Sequence, residues 1–184
     1  MSSGKRLRYL CQDETRLGLK TETGRVITGR GVKPIVKVQW PRKAYWLYGV
    51  VEPLSGWHFC QEYSHLNCEN FQKFLDALSQ ELGSDMALIQ MDRASAHQAW
   101  ALDWPENIIP IFQPSHRPQL NQAERLWQFI KRQFKGENFS NLDQLRQLVQ
   151  HELVQLSSLA ISSLTSYDFI LEALFYQALC YADS

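Results

Sequence analysis

The hydrophobic pattern of this chain changes period partway along it. Leu7, Tyr9, Cys11 and Asp13 share one face at period two, which predicts a strand. Thr15 to Lys20 reads as the returning strand of a hairpin, and a loop rich in glycine and basic residues follows from Thr23 to Pro34. Residues 45–51, with three aromatics and two valines, predict a second strong strand. Pro53, Ser55 and Gly56 mark a turn, and Trp57 to Gln61 returns from it. The period then lengthens. Phe71, Phe74, Leu75, Leu78 and Leu82 fall at helical spacing, with Gly83 as the stop. Ala87 to Met91 is short and almost wholly apolar, as expected of a strand covered on both faces. Ile108 to Phe112 is a fainter strand, and Pro110 inside it favours a sheet edge or a strand end.

From Asn121 onward the pattern is helical. On a wheel at about 100° per residue, with Glu124 at zero, Ala123, Leu126, Trp127, Ile130 and Phe134 form one compact apolar stripe. Glu124 lies about 60° beyond its edge, on the side that carries Lys131, Arg132 and Lys135. Asn121 is expected to cap this helix. Ser140 with Asp143 fits a capping box for the next one, whose stripe is Leu142, Leu145, Leu148, Val149, Leu153 and Leu156. A last helix is expected over roughly 166–181. The strand–helix–strand alternation implies parallel pairing after an antiparallel opening. The whole reads as an α/β chain, with a central mixed sheet flanked by helices.

With 184 residues, 45% of them hydrophobic, the chain fits one domain with a proper core. No stretch approaches the roughly 18 apolar residues of a membrane span, and no signal-peptide segment follows the start. A cytoplasmic location is expected. Cys11, Cys60, Cys68 and Cys180 are scattered, which argues against a zinc site and a disulfide framework. The net charge of zero conceals a gradient. Residues 1–50 hold eleven Lys and Arg against three acids, whereas residues 137–184 hold one against six. The basic third suits a phosphate-bearing partner.

Three carboxylates change the picture further. Asp13 closes the first strand segment, Asp92 follows the apolar run ending at Met91, and Glu124 lies in the first turns of the amphipathic helix. Carboxylates gathered at one point raise each other's pKa, and a divalent cation removes that penalty. Oxygen-only ligands suit Mg²⁺ or Mn²⁺. A metal-dependent phosphoryl-transfer site is the expectation.

The segments Gln12-Asp13-Glu14-Thr15, Gly29-Arg30-Gly31, Met91-Asp92 with His97 five residues on, and Pro118-x-Leu120-Asn121-x-x-Glu124-x-x-Trp127-x-x-x-Lys131 together resemble the catalytic domain of mariner-like transposases. Bacterial insertion-sequence members of the DDE-superfamily endonucleases are the nearest kind. Arg93 stands where that family usually has Asn, and Gln122-Ala123 follow Asn121 where it usually has Pro. The resemblance implies a ribonuclease H-like fold shared with retroviral integrases, a five-stranded mixed sheet with helices on both sides. It implies two Mg²⁺ ions, replaceable by Mn²⁺, held by Asp13, Asp92 and Glu124, with Asp13 bridging. It also implies DNA cleavage that frees a 3′-hydroxyl, followed by strand transfer.

Arg30, Lys33, His97, His116, Arg117, Lys131 and Lys135 are candidates for contacts with the DNA backbone. A homodimer on DNA is expected from the resemblance. The helix-turn-helix modules by which such proteins read transposon ends are absent ahead of Asp13, so a separately encoded DNA-reading subunit is a further expected partner. Residues 1–184 are expected to form a single catalytic domain, with a core at about 7–135 and C-terminal helices at about 140–181. A nuclease or resolvase of the same fold without strand transfer, and an inactive DNA-binding or assembly domain, are the alternatives.

Overall fold

The computed structural model describes residues 4–21, 28–31, 33, 35, 41–92, 102–114 and 121–167. Five strands form one mixed sheet: β1 (Leu7–Gly18), β2 (Ala44–Val51), β3 (His58–Tyr63), β4 (Met86–Met91) and β5 (Ile108–Phe112). Their order is β3-β2-β1-β4-β5. β1 pairs antiparallel with β2 and parallel with β4; β2 and β3 are antiparallel, and β4 and β5 parallel. The helices are α1 (Cys68–Leu82), α2 (Ala123–Gln133), α3 (Leu142–Gln155) and α4 (Ser158–Thr165).

The alternation along β1 and β2 sorts their side chains onto two faces. Leu10, Tyr48 and Val50 join Phe71, Phe74, Leu75 and Leu78 of α1 on one face. Leu17, Tyr45 and Leu47 join Leu126, Trp127 and Ile130 of α2, with Leu145 and Val149 of α3, on the other. Cys11 and Val51 meet Ala123 and Ile161 on that second face. This is the mixed sheet with helices on both sides that the resemblance implies. Trp46 and Trp57 pack against the first cluster as core residues, and Pro110 lies in edge strand β5, where a missing N–H costs least. Among the described residues Cys11, Cys60 and Cys68 form no disulfide. Among the described residues no helix is long and apolar enough to cross a membrane.

Three expectations need correction. Thr15 to Lys20 is not a returning strand. β1 runs on to Gly18, still pairing with β2 as far as Gly18 opposite Ala44, and buried Thr15 and Leu17 continue its alternation. No Gly or Pro interrupts Asp13 to Leu17, so nothing there turns the chain. The cap of α3 is Asn141, whose side chain accepts the Gln144 N–H, and not Ser140. The Gln144 side chain accepts the Ser140 N–H, so the cap is shifted by one residue and the capping box is not closed. Finally, α4 stands where no separate helix is predicted, capped by Ser157 and anchored by Ile161. Ser166 and Tyr167 follow it without helical structure, and the rest of the expected last helix lies outside the described residues.

Candidate carboxylate site on the central sheet

Asp13 sits in the middle of β1, the central strand. Its parity with Cys11 and Leu17 turns it toward the α2 face. Asp92 is the first residue after β4, the parallel neighbour of β1. Glu124 is the second residue of α2, beside buried Ala123. Parallel pairing of β1 with β4 thus carries Asp92 to the same end of the sheet, and the α2 stripe sets Glu124 at the rim of the face it buries. Asp13 and Glu124 are partly buried, and Asp92 is exposed.

Asp13 and Glu124 sense the neighbouring carboxylates. Burial is the main cause that pushes Asp13 up to about 8, from an ordinary 3.8. The charge of Glu14 adds to the rise, as do Glu124 and Asp92, while a backbone hydrogen bond from Glu14 opposes it. Glu124 is also raised, by burial first and then by Asp92. The set does not form a finished cage. Among the described residues no three His, Cys, Asp or Glu side chains are grouped closely enough to hold a metal ion as they stand. Its chemistry nonetheless suits a hard divalent cation. It offers oxygen donors only, and the cost of Asp13's buried negative charge is one that a cation removes.

Several residues next to Asp13 and Glu124 in the chain are buried and polar: Gln12, Asn121 and Gln122. Gln12, fully buried, donates to Glu14 Oε1 at 3.0 Å. Cys11 Sγ lies 3.5 Å from Gln122 Oε1, and burial pushes its thiol up to about 12, so it is an inert packing group. Opposite Asp13 in the register is Gly49, and Trp127 lies directly over it. A Cβ on Gly49 would stand 2.6 Å from Trp127 Cη2. The absent side chain lets α2 approach the sheet at the level of Asp13. Three buried donors have no partner among the described residues: Gln113 Nε2, Gln122 Nε2 and Trp127 Nε1. All belong to residues close in the chain, or through one backbone bond, to Asp92 or Glu124. The Gln113 backbone bonds the carbonyl of Met91 next to Asp92, Gln122 is two residues before Glu124, and Trp127 is three after it.

Of the remaining candidates, Arg30 and Lys33 are exposed, Lys131 is partly buried at the end of α2, and Lys135 is exposed just beyond it. His97, His116 and Arg117, with Arg93, lie outside the described residues. Asn121 is not the cap residue expected of it, although its side chain meets the helix start. Gln122 occupies the cap position with no side-chain cap bond, while Asn121 Oδ1 accepts the Ala123 N–H at 3.1 Å. Gln12, Gly49 and Gln122 were not picked out by sequence reasoning. Only the position of Gln12 and Gln122 inside the resembling segments gave any signal, and Gly49 gave none.

A family model described as DDE superfamily endonuclease matches residues 8–146. An uncharacterized protein, y4pE/y4sA, of Sinorhizobium fredii (strain NBRC 101917 / NGR234) is 28% identical over 87 residues, which is 47% of this chain and 64% of that protein. Among solved structures, the Mos1 mariner paired-end complex with Mn matches at a TM-score of 0.63 and 13% identity, over 84% of this chain and 50% of the other. The Mos1 strand transfer complex matches at 0.60 and 13%, over 85% and 50%. The fold is therefore ribonuclease H-like, as the resemblance implies. The chain spans about half the length of the Mos1 chains it matches, and under two thirds of the curated relative.

Proposed function

Because the chain belongs to the DDE superfamily endonucleases, we propose that it is the catalytic domain of a transposase that cuts DNA strands and joins them to a target. The observation that supports this reading is that the charges of Asp92 and Glu124, from elements remote in sequence, raise the pKa of Asp13, and that Asp92 raises that of Glu124. A family match alone leaves the chemistry open. A partly buried Asp raised to about 8 by burial and like charges is costly to a fold and useful to a cation site. The solved Mos1 complexes were crystallised with Mn and with Mg, which supports the choice of metal.

In this reading Asp13, Asp92 and Glu124 are the residues that would hold Mg²⁺, two ions in all. Held there, divalent cations would activate the attacking oxygen and stabilise the leaving oxygen of a phosphoryl displacement. The chain's own residues do the rest. The ligating carboxylates reach the site from β1, the end of β4 and the start of α2. Trp127 seated on Gly49 fixes how far α2 stands from the sheet. Lys131 and Lys135, on the Glu124 side of the helix, attract the phosphate backbone, with Arg30 and Lys33 as further contacts. His97, His116 and Arg117 complete that set by sequence. We take residues 1–184 as one catalytic domain that works on DNA in the cytoplasm, as a dimer across two ends, with end recognition supplied by a helix-turn-helix partner.

The test is a joining assay at low salt with Mg²⁺. A duplex with a pre-formed 3′-hydroxyl end is mixed with a target plasmid. Joined product is the expected result. Plasmid nicking without joining would mark a nuclease of the same fold. Neither product in Mg²⁺ or Mn²⁺ would reduce the chain to a binding or assembly domain.

A further inference from the structure

The start of α2 is tied to β1 by one side chain at a telling place. Asn121 is 3% exposed. Its Nδ2 donates to the main-chain oxygen of Gln12 at 2.7 Å, and its Oδ1 accepts the main-chain N–H of Ala123 at 3.1 Å. Gln12 immediately precedes Asp13, and Ala123 immediately precedes Glu124. A single carboxamide therefore spans the backbone next to both carboxylates. The parallel ladder of β1 with β4 ends at Cys11 opposite Gln90, one residue before the Gln12 carbonyl that Asn121 takes up. The neighbouring contacts agree with a fixed junction. Gln122 Oε1 meets Cys11, and Ala123 packs with Cys11 and Ile161.

We propose that Asn121 is a positioning residue, which sets the height and register of Glu124 against Asp13 and so the affinity of the site for a divalent cation. This rests on the reading of those carboxylates as a cation site. A helix cap alone would need only the oxygen of Asn121. The bond from its nitrogen to Gln12 contributes nothing to capping and links the two ligand-bearing elements directly. The two halves of the amide are separable. Asn121→Ser keeps an oxygen for the helix start and removes the donor to Gln12; Asn121→Ala removes both.

The experiment measures Mn²⁺ binding to the full chain by calorimetry without DNA, together with amide hydrogen exchange in the metal-free protein. Asn121→Ser should bind Mn²⁺ at least fivefold more weakly than the unsubstituted chain. Its first-turn α2 amides should exchange at least tenfold faster, with α3 unchanged. Asn121→Ala should show the same loss of Mn²⁺ affinity and a lower melting temperature. Asn121→Thr repeats the design should the serine chain fail to fold. If the unsubstituted chain binds Mn²⁺ through Asp13, as Asp13→Asn reports, and Asn121→Ser binds equally well, Asn121 is a cap and the positioning role falls alone. If the unsubstituted chain binds no better than Asp13→Asn, the cation-site reading falls and takes this proposal with it.

Discussion

Arg8 and Asp13 lie five residues apart on β1, and the fold treats their charges in opposite ways. Arg8 meets Glu52 through two hydrogen bonds, at 3.2 and 3.0 Å, with both side chains about one-tenth exposed. The Trp57 ring lies 4.0 Å from the guanidinium, and the Ser55 hydroxyl donates to Glu52. Every partner needed to bury that charge comes from the turn after β2. Asp13 meets Glu14, Asp92 and Glu124 instead, and forms no ion pair with a Lys or Arg among the described residues. The first is a charge solved within the chain. The second is a charge whose compensation must come from elsewhere. In our proposal it is the like-charge cluster, just past the end of the β1–β4 ladder, and not burial, that marks the working part of the molecule.

The contrast is sharpest in activity. Asp13→Asn, Asp92→Asn and Glu124→Gln should each cut Mg²⁺-dependent strand cleavage by about a thousandfold or more, equivalent to about 4 kcal/mol of barrier, with unchanged circular dichroism. Arg8→Met should leave cleavage per folded molecule near its original level. Undiminished cleavage in any of the three carboxylate variants removes that residue from the site. In stability the ranking reverses. Glu52→Gln leaves the Arg8 guanidinium sheltered and unpaired, and should cost about 3–5 kcal/mol by urea denaturation.

Gly49→Ala tests the contact between these regions and α2. The new methyl meets Trp127 and Cys60 Sγ, so the helix must lift or the indole must turn. A loss of about 1–3 kcal/mol is expected, together with weakened cleavage in the protein that still folds. Asp13→Asn should have the opposite sign. The folded-state pKa of Asp13 is raised, so its contribution to stability is present below the unfolded value of 3.8 and is lost as pH rises to about 8. Without divalent metal, Asp13→Asn should therefore stabilise the chain at pH 9, on the order of 1–2 kcal/mol after allowance for partial solvent screening, and leave it unchanged at pH 3.5. Thermal melts at the two pH values give the answer. Equal melting temperatures at pH 9 would mean that Asp13 bears no uncompensated charge.

Much of this layout was legible in the residues themselves. Period two in Leu7 to Asp13 gave the face that Asp13 shares, and the α2 wheel gave the buried stripe and the rim position of Glu124, because burial writes itself directly into spacing. Pro110 announced the edge strand. Illegible features depended on contacts between distant segments or on near-equal local choices. The length of β1 is set by its ladder with β2, more than twenty residues further along the chain, and the alternation of Thr15 and Leu17 alone does not tell a continuing strand from a returning one. Ser140 and Asn141 are both good caps, and only the structure chooses between them. α4 has a serine-rich sequence and owes its place to Ile161 under β1 and β2. Gly49 looks like any strand glycine until Trp127 stands above it. Asn121 reads as a cap from sequence, and its second bond, to a carbonyl more than a hundred residues away, has no local signature.

The most direct test of the account is the titration of the Asp13 carboxyl carbon by ¹³C NMR, with and without Mg²⁺. The account predicts a midpoint near 8 in the metal-free chain, and a fall of more than one pH unit at saturating Mg²⁺. A midpoint in the ordinary carboxylate range that ignores Mg²⁺ would contradict it.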